Sequence, residues 1–199
     1  MKRIFAALLA ASMMIMGTQA FAQTAVNAGY LSSTSTVKVG NSKTSGDMNG
    51  FYAGASRNIP LVAGLGVEPG VNLEMLFASS KKSIFAGSTT EAYVQVPVML
   101  NYGIELMPDC RLFAFAGPSL SLGVLSSSKV SAGGASVKQN NYDADNYGRF
   151  DVMLGGGVGF DINNIRVKVG YNAGMLDRNS GNAATMHRSE ITLGAALLF

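Results

Sequence analysis

Ser189-Glu190-Ile191-Thr192-Leu193-Gly194-Ala195-Ala196-Leu197-Leu198-Phe199 decides the fold class. Ile191, Leu193, Ala195, Leu197 and Phe199 share one parity, and Glu190, Thr192, Gly194 and Ala196 share the other. Successive strand residues face opposite sides of a sheet, so this stretch has one apolar face and one small or polar face. A wall between hydrocarbon and a filled lumen has that profile, and a terminal aromatic suits the membrane interface. The expected fold is all-β: an eight-stranded antiparallel up-and-down transmembrane β-barrel.

The other end of the chain agrees. Lys2 and Arg3 precede an apolar run from Ile4 to about Met16, and Ala20-Phe21-Ala22 then fits the small-x-small cleavage pattern. This is the pattern of a secretory signal peptide, with cleavage expected near Ala22 and a barrel over residues 23–199. The run is too short for a retained spanning helix, and no Cys beside the cut suggests lipoprotein processing. Losing Lys2 and Arg3 lowers the formal net charge from +3 to +1. The remaining cations are scattered rather than gathered into a stripe, so no case for nucleic-acid binding survives.

Composition points the same way: 48% hydrophobic, 14% charged and 24 glycines, with a positive mean hydropathy. No later apolar run is long enough for a transmembrane helix, and only a closed barrel satisfies every backbone polar group in lipid by strands. Cys110 has no second cysteine to pair with, and a single His leaves no Cys/His ligand set for zinc. No metal or cofactor is expected.

Period-two alternation divides the mature chain into eight segments. Thr24 to Val39 is the weakest, with Val26, Ala28 and Tyr30 outward. Asn49 to Arg57 sets Phe51, Ala53 and Ala55 against Tyr52, Gly54 and Ser56, and Gly66 to Ser79 sets Val67 through Phe77 against Glu68 through Leu76. Pro69 removes a ladder donor there and implies a bulge or a weak edge. Glu91 to Leu106, Arg111 to Leu125, Tyr147 to Phe160, Ile165 to Met175 and Ser189 to Phe199 complete the set. The fifth segment is in conflict, because Leu120, Leu122 and Val124 claim even parity while Phe113 and Phe115 are odd. Either a bulge at Gly117-Pro118 flips the register, or two Phe rings fill the lumen.

Short connections near 58–65, 107–110 and 161–164 alternate with longer polar ones near 40–48, 80–90, 126–146 and 177–186. Outer-membrane barrels have short periplasmic turns and long outer loops. The outer membrane, contacting its lipid, is therefore the expected location. Tyr102, Phe160 and Phe199 fall toward the periplasmic girdle, and Phe51, Phe77 and Phe150 toward the outer one. The C-terminal strand is the expected handle for barrel-assembly machinery. A soluble lipocalin-type barrel would invert the pattern, with apolar residues inside.

The opposite faces carry Arg57, Glu68, Glu74, Glu105, Arg111, Arg149, Asp151, Arg166, Lys168, Arg188 and Glu190. Eight strands leave an interior only wide enough for side chains, so these charges are expected to pair across the lumen. The competing use of the same residues is a narrow porin path, for which the inward Gly155, Gly157 and Gly159 leave space.

Gly50-Phe51-Tyr52-Ala53-Gly54, Val67-Glu68-Pro69-Gly70-Val71, Tyr93-Val94-Gln95-Val96-Pro97-Val98-Met99-Leu100-Asn101-Tyr102 and Phe115-Ala116-Gly117-Pro118-Ser119-Leu120 resemble the PorT-like, porin-family outer-membrane β-barrel domain. Its architecture is similar to that of the small OmpA and OmpX barrels. The resemblance implies a fold and a Gram-negative outer membrane, with transport roles that are mostly inferred. His187-Arg188-Ser189 also resembles the His-x-Ser of barrel lipid A deacylases, though no outward acid is evident to orient the His. The expectation is a non-enzymatic barrel whose structural or surface-interaction role lies in its outer loops, above all Ser126 to Asn146. Tyr142 and Tyr147 are candidate anchors for an extracellular ligand whose identity the sequence leaves unknown.

Overall fold

The computed structural model describes residues 23–82, 85–132, 135–141, 148–178 and 185–199, without the side chains of 80–86 and 130–138. The signal peptide expected over 1–22 and the candidate anchors Tyr142 and Tyr147 lie outside the described residues. The strands are β1 (Gln23–Val39), β2 (Ser42–Val62), β3 (Leu65–Lys82), β4 (Phe85–Met107), β5 (Cys110–Ala132), β6 (Ala135–Asn140), β7 (Phe150–Ile162), β8 (Ile165–Gly174) and β9 (Thr185–Leu198). All pairings are antiparallel, and β1-β2-β3-β4-β5-β7-β8-β9 close into a ring. β6 pairs only the upper part of β5, above the level where β7 takes over that edge. The barrel therefore has eight staves. The seam is tied by Phe199, which exchanges both backbone hydrogen bonds with Thr24 at 2.8 and 3.1 Å.

Turn chemistry sets the short ends. Ala63-Gly64, Pro108-Asp109 and Asn163-Asn164 make two-residue turns, with positive φ at Gly64, Asp109 and Asn163. These are the residue types that occupy the left-handed region most readily. The segment around 40–48 contains a two-residue turn rather than a loop, since β1 and β2 pair up to Val39 opposite Ser42.

The faces divide by parity. Val26, Phe51, Leu73, Leu100, Leu120, Leu154, Val169 and Leu193 are exposed on the outside. Ile191 to Phe199 spans roughly 27 Å of strand, which at a tilt of about 40° gives an apolar belt about 21 Å high. Hydrocarbon needs a wall of that order. Arg57 shares the outward parity of Phe51 and Ala55 rather than the lumen parity of Tyr52 and Ser56.

Register resolves the fifth strand. β5 pairs β4 and β7 without a shift across Gly117 and Pro118, so Phe113 and Phe115 fill the lumen. The irregularity comes later: Tyr93 faces Gly123 while Ala92 faces Leu125. Val124 is the extra residue of a bulge, so Val124 and Leu125 are both exposed and the parity above them is exchanged. At Pro69 the β2 and β4 registers carry through unchanged; the β3–β4 ladder is interrupted between Pro69 and Asn72, where Pro97 also removes a donor.

Candidate lumen site

Two charge clusters close the barrel at different heights. In the periplasmic cluster Arg166 is buried and forks onto Asp161, with Nε donating to Oδ1 at 2.7 Å and Nη2 to Oδ2 at 2.9 Å. Its Nη1 donates to Glu68 Oε2 at 2.7 Å, and Ser56 Oγ donates to Glu68 Oε1 at 2.7 Å. Arg111 lies 3.6 Å from Asp161 and donates to Asn101 Oδ1 at 3.1 Å. The ring of Phe113 supports both guanidiniums, 4.5 Å from Arg166 and 5.5 Å from Arg111. A planar guanidinium held by two carboxylates and an aromatic face is a geometry lysine cannot reproduce.

The outer cluster centres on Arg188. Its Nη2 lies 2.6 Å from Glu190 Oε1 and 3.3 Å from Glu74 Oε2, and donates to Ser121 Oγ at 3.1 Å. The guanidinium carbon sits 3.8 Å from the Tyr93 ring centroid, and that of Arg178 sits 5.3 Å from it. Arg178 donates to the Tyr93 hydroxyl at 2.9 Å, which in turn donates to Glu91, whose other oxygen accepts from Ser126. Asp151 accepts from the backbone N–H of Leu176 at 3.2 Å, tying the following segment to the rim.

Between the clusters lies a cavity of about 50 Å³ bordered by Tyr52, Asn72, Gln95, Phe115, Lys168 and Asn172. A water requires roughly 10–15 Å³ on the same measure, so the cavity takes a few waters and no larger solute. The inward glycines do not widen it, because their space is occupied. A Cβ on Gly159 would lie 2.2 Å from Phe113 Cζ, one on Gly157 2.7 Å from Phe115 Cζ, and one on Gly194 1.9 Å from the Tyr52 hydroxyl. Each glycine is a hole into which an aromatic knob fits.

The structure thus brings Glu68, Arg111 and Arg166 together below, and Glu74, Arg188 and Glu190 together above, with Asp151 in the upper wall and Lys168 at the cavity 6.0 Å from the Phe115 ring. Glu105 and Arg149 are exposed. Asp161, Glu91, Tyr93 and Arg178 join the clusters although none is among the lumen charges expected from sequence. Asp161 and Tyr93 continue the inward parity of their strands, which was the available signal; Arg178 follows β8 and carries none. On the outside, Phe51, Phe77 and Phe150 are exposed toward the outer edge of the belt, with Phe51 and Phe77 centroids 5.9 Å apart. Tyr102 and Phe199 are exposed toward the periplasmic edge, and Phe160 is half-buried on the same outer face.

The family model for the outer membrane protein beta-barrel domain matches residues 19–178. The chain belongs to that family. Among solved structures, Ail, the attachment invasion locus protein of Yersinia pestis, in complex with the heparin analogue sucrose octasulfate, is similar at 16% identity and a TM-score of 0.52, covering 89% of this chain and 99% of Ail. OprG from Pseudomonas aeruginosa is similar at 13% identity and a TM-score of 0.47, covering 93% of this chain and 99% of OprG. No curated protein matches the chain. Membership of the family carries with it an outer-membrane location and contact with membrane lipid.

His187 and Ser189 lie on the outward parity of β9, both half-buried. An outward acid does exist, Asp47, in the cross-strand row of Ser189 and Thr34. Its carboxylate takes the Thr34 hydroxyl at 2.7 Å, two strands away from β9, so the triad geometry that orients a catalytic His is not met by this acid. The expected result for His187→Ala is unchanged lipid A acylation, read by mass spectrometry of lipid A from producing cells; loss of an acyl-chain cleavage seen with the native protein would reverse this.

Proposed function

We propose that this is a non-enzymatic, non-conducting outer-membrane barrel whose work is contact with molecules outside the cell. The observation that carries the reading is the continuation of the strands beyond the belt. β1 and β2 run on through a polar ladder in which Tyr30 donates to Asn49 at 2.5 Å, Thr34 to Asp47 at 2.7 Å, and Thr36 and Ser45 share a bond at 3.1 Å. β3, β4, β5 and β6 form a second extension, while β2 and β3 pair no higher than Asn49 opposite Phe77. Membrane insertion requires none of this ordered polar surface, whereas presenting a fixed face to a partner does. The PorT-like resemblance, removal of residues 1–22 and recognition of the Phe199 strand by assembly machinery belong to the same proposal.

Shortening the β5–β6 hairpin by replacing residues 128–139 with Asn-Gly tests it. Cells displaying this variant are expected to bind plates coated with heparin at least 5-fold less than cells displaying the native barrel, with heat-modifiable gel mobility retained. Equal binding of the two would contradict the contact role. The competing reading, a narrow porin for small solutes, is separated from the first by bilayer conductance.

A further inference from the structure

In the periplasmic half of the lumen the charges do not cancel: Arg111, Arg166 and Lys168 are three cations against the two carboxylates of Glu68 and Asp161. Asp161 is held by both arginines, and Glu68 accepts from Arg166 on one oxygen and from Ser56 on the other. Lys168 is the cation left over. Among the described residues its ammonium makes no ion pair and no hydrogen bond, and the Phe115 ring lies 6.0 Å away. A charge taken out of bulk water without a partner is costly, and this one borders the cavity between the two clusters.

The sheet register brings a second donor beside it. Tyr52 lies opposite Gly29, Gly29 opposite Gly194, and Gly194 opposite Lys168. The Tyr52 ring lies across both glycines, with Cε1 2.7 Å from where a Gly29 Cβ would be and the hydroxyl in the place of a Gly194 Cβ. The hydroxyl therefore ends at the cross-strand neighbour of Lys168, in a row where facing Cβ positions are about 4.5–5.5 Å apart. It is buried and has no hydrogen-bond partner among the described residues, and neither has Asn27 Oδ1, buried in the same cavity wall. Two donors thus front one small space with no protein acceptor between them. Water can accept from both but leaves the positive charge in place, whereas an anion accepts from both and cancels it. Glu74 also borders the cavity, but its charge faces Arg188 at 3.3 Å, so the favourable position for an anion is against Lys168.

We propose that the lumen cavity is a binding site for one small monovalent anion of the size of chloride, held by the Lys168 ammonium and the Tyr52 hydroxyl. Asn27 Oδ1 takes one hydrogen of a water whose other hydrogen meets the anion. The cavity of about 50 Å³ admits such an ion with a water or two and excludes an anion as large as gluconate. The ion is a structural counter-charge enclosed as the staves close around it, and it requires no conduction through the barrel.

The full barrel is unfolded by urea in phosphatidylcholine vesicles while sodium chloride replaces sodium gluconate at constant ionic strength. An ion bound by the folded state alone raises the folded-to-unfolded ratio by up to about 10-fold for each tenfold rise in free chloride, and the native barrel is expected to approach that slope. Lys168→Met, which keeps the length of the side chain and removes its charge, is expected to abolish the chloride dependence, and Tyr52→Phe to weaken it. Crystals of the native barrel soaked in sodium bromide are expected to show one anomalous peak in the lumen, in contact with Lys168 Nζ and the Tyr52 hydroxyl. Equal chloride dependence of the native barrel and Lys168→Met overturns the proposal, as does a map with only water beside Lys168. A bromide peak without chloride dependence in the vesicles is binding at crystal concentration only and overturns it too. The bromide map and the native chloride series need no variant, so they decide the matter even where Lys168→Met fails to fold.

Discussion

Replacing Arg188 by methionine is expected to destabilise the barrel by about 3–5 kcal/mol, the cost of leaving buried charges without their partner. Methionine keeps much of the volume but removes the cation that Glu74 and Glu190 share. All three groups are buried, so little solvent screens the two carboxylates from each other. The Tyr93 ring also loses the guanidinium lying 3.8 Å from its centre. Urea unfolding in phospholipid vesicles, followed by tyrosine fluorescence, measures the change. Adding Glu74→Gln and Glu190→Gln to Arg188→Met is expected to recover most of the loss, because amides need no counter-charge. A single-variant loss below about 1 kcal/mol would mean that the cluster is solvated and the outer closure is open.

The second large effect concerns the outer face. Leu193 lies near the middle of the apolar belt and is exposed, and Leu193→Arg is expected to cost about 2–4 kcal/mol in a bilayer. Ser45→Arg, on the same outer parity but in the polar ladder above the belt, is expected to cost about 0–1 kcal/mol, since the penalty falls toward the interface. Unfolding both variants in the same vesicles reads the difference. Equal costs would place the belt, and with it the membrane, at the wrong height.

How much of this was legible in the chain follows from what makes a period-two signal. Alternation is visible only where the two faces of a strand meet different solvents. Val67 to Phe77 and Ile191 to Phe199 separate hydrocarbon from a packed lumen, so their parity assigns every side chain. Lys38 to Val39 and Ser42 to Asp47 are exposed on both parities, and the Ser, Thr and Lys content there shows no alternation although they are strands. The long outer loops were accordingly overestimated. The β5 bulge was hidden because Val124 and Leu125 are both apolar, so an exchange of parity leaves no chemical mark.

The lumen was legible as a set of charges and illegible as a set of partners. Inward parity marks Glu68, Arg166, Arg188 and Glu190, but stave closure decides that Arg166 of β8 meets Glu68 of β3, and Arg188 of β9 meets Glu74 of β3. Inward glycines suggest free space in the sequence, and the fit of Phe113 over Gly159 and Phe115 over Gly157 shows that space filled. Large and small residues on facing staves interlock, as in any small filled barrel.

On the reading proposed here, two salt-bridged clusters and the aromatic knobs between them close the lumen. Single-channel recording of the purified, refolded barrel in planar bilayers tests it most directly. No reproducible conductance steps are expected from the native barrel, with steps appearing in a variant that removes both closures, Arg166→Ala with Phe113→Ala and Arg188→Ala. Reproducible steps of uniform size from the native barrel would contradict it.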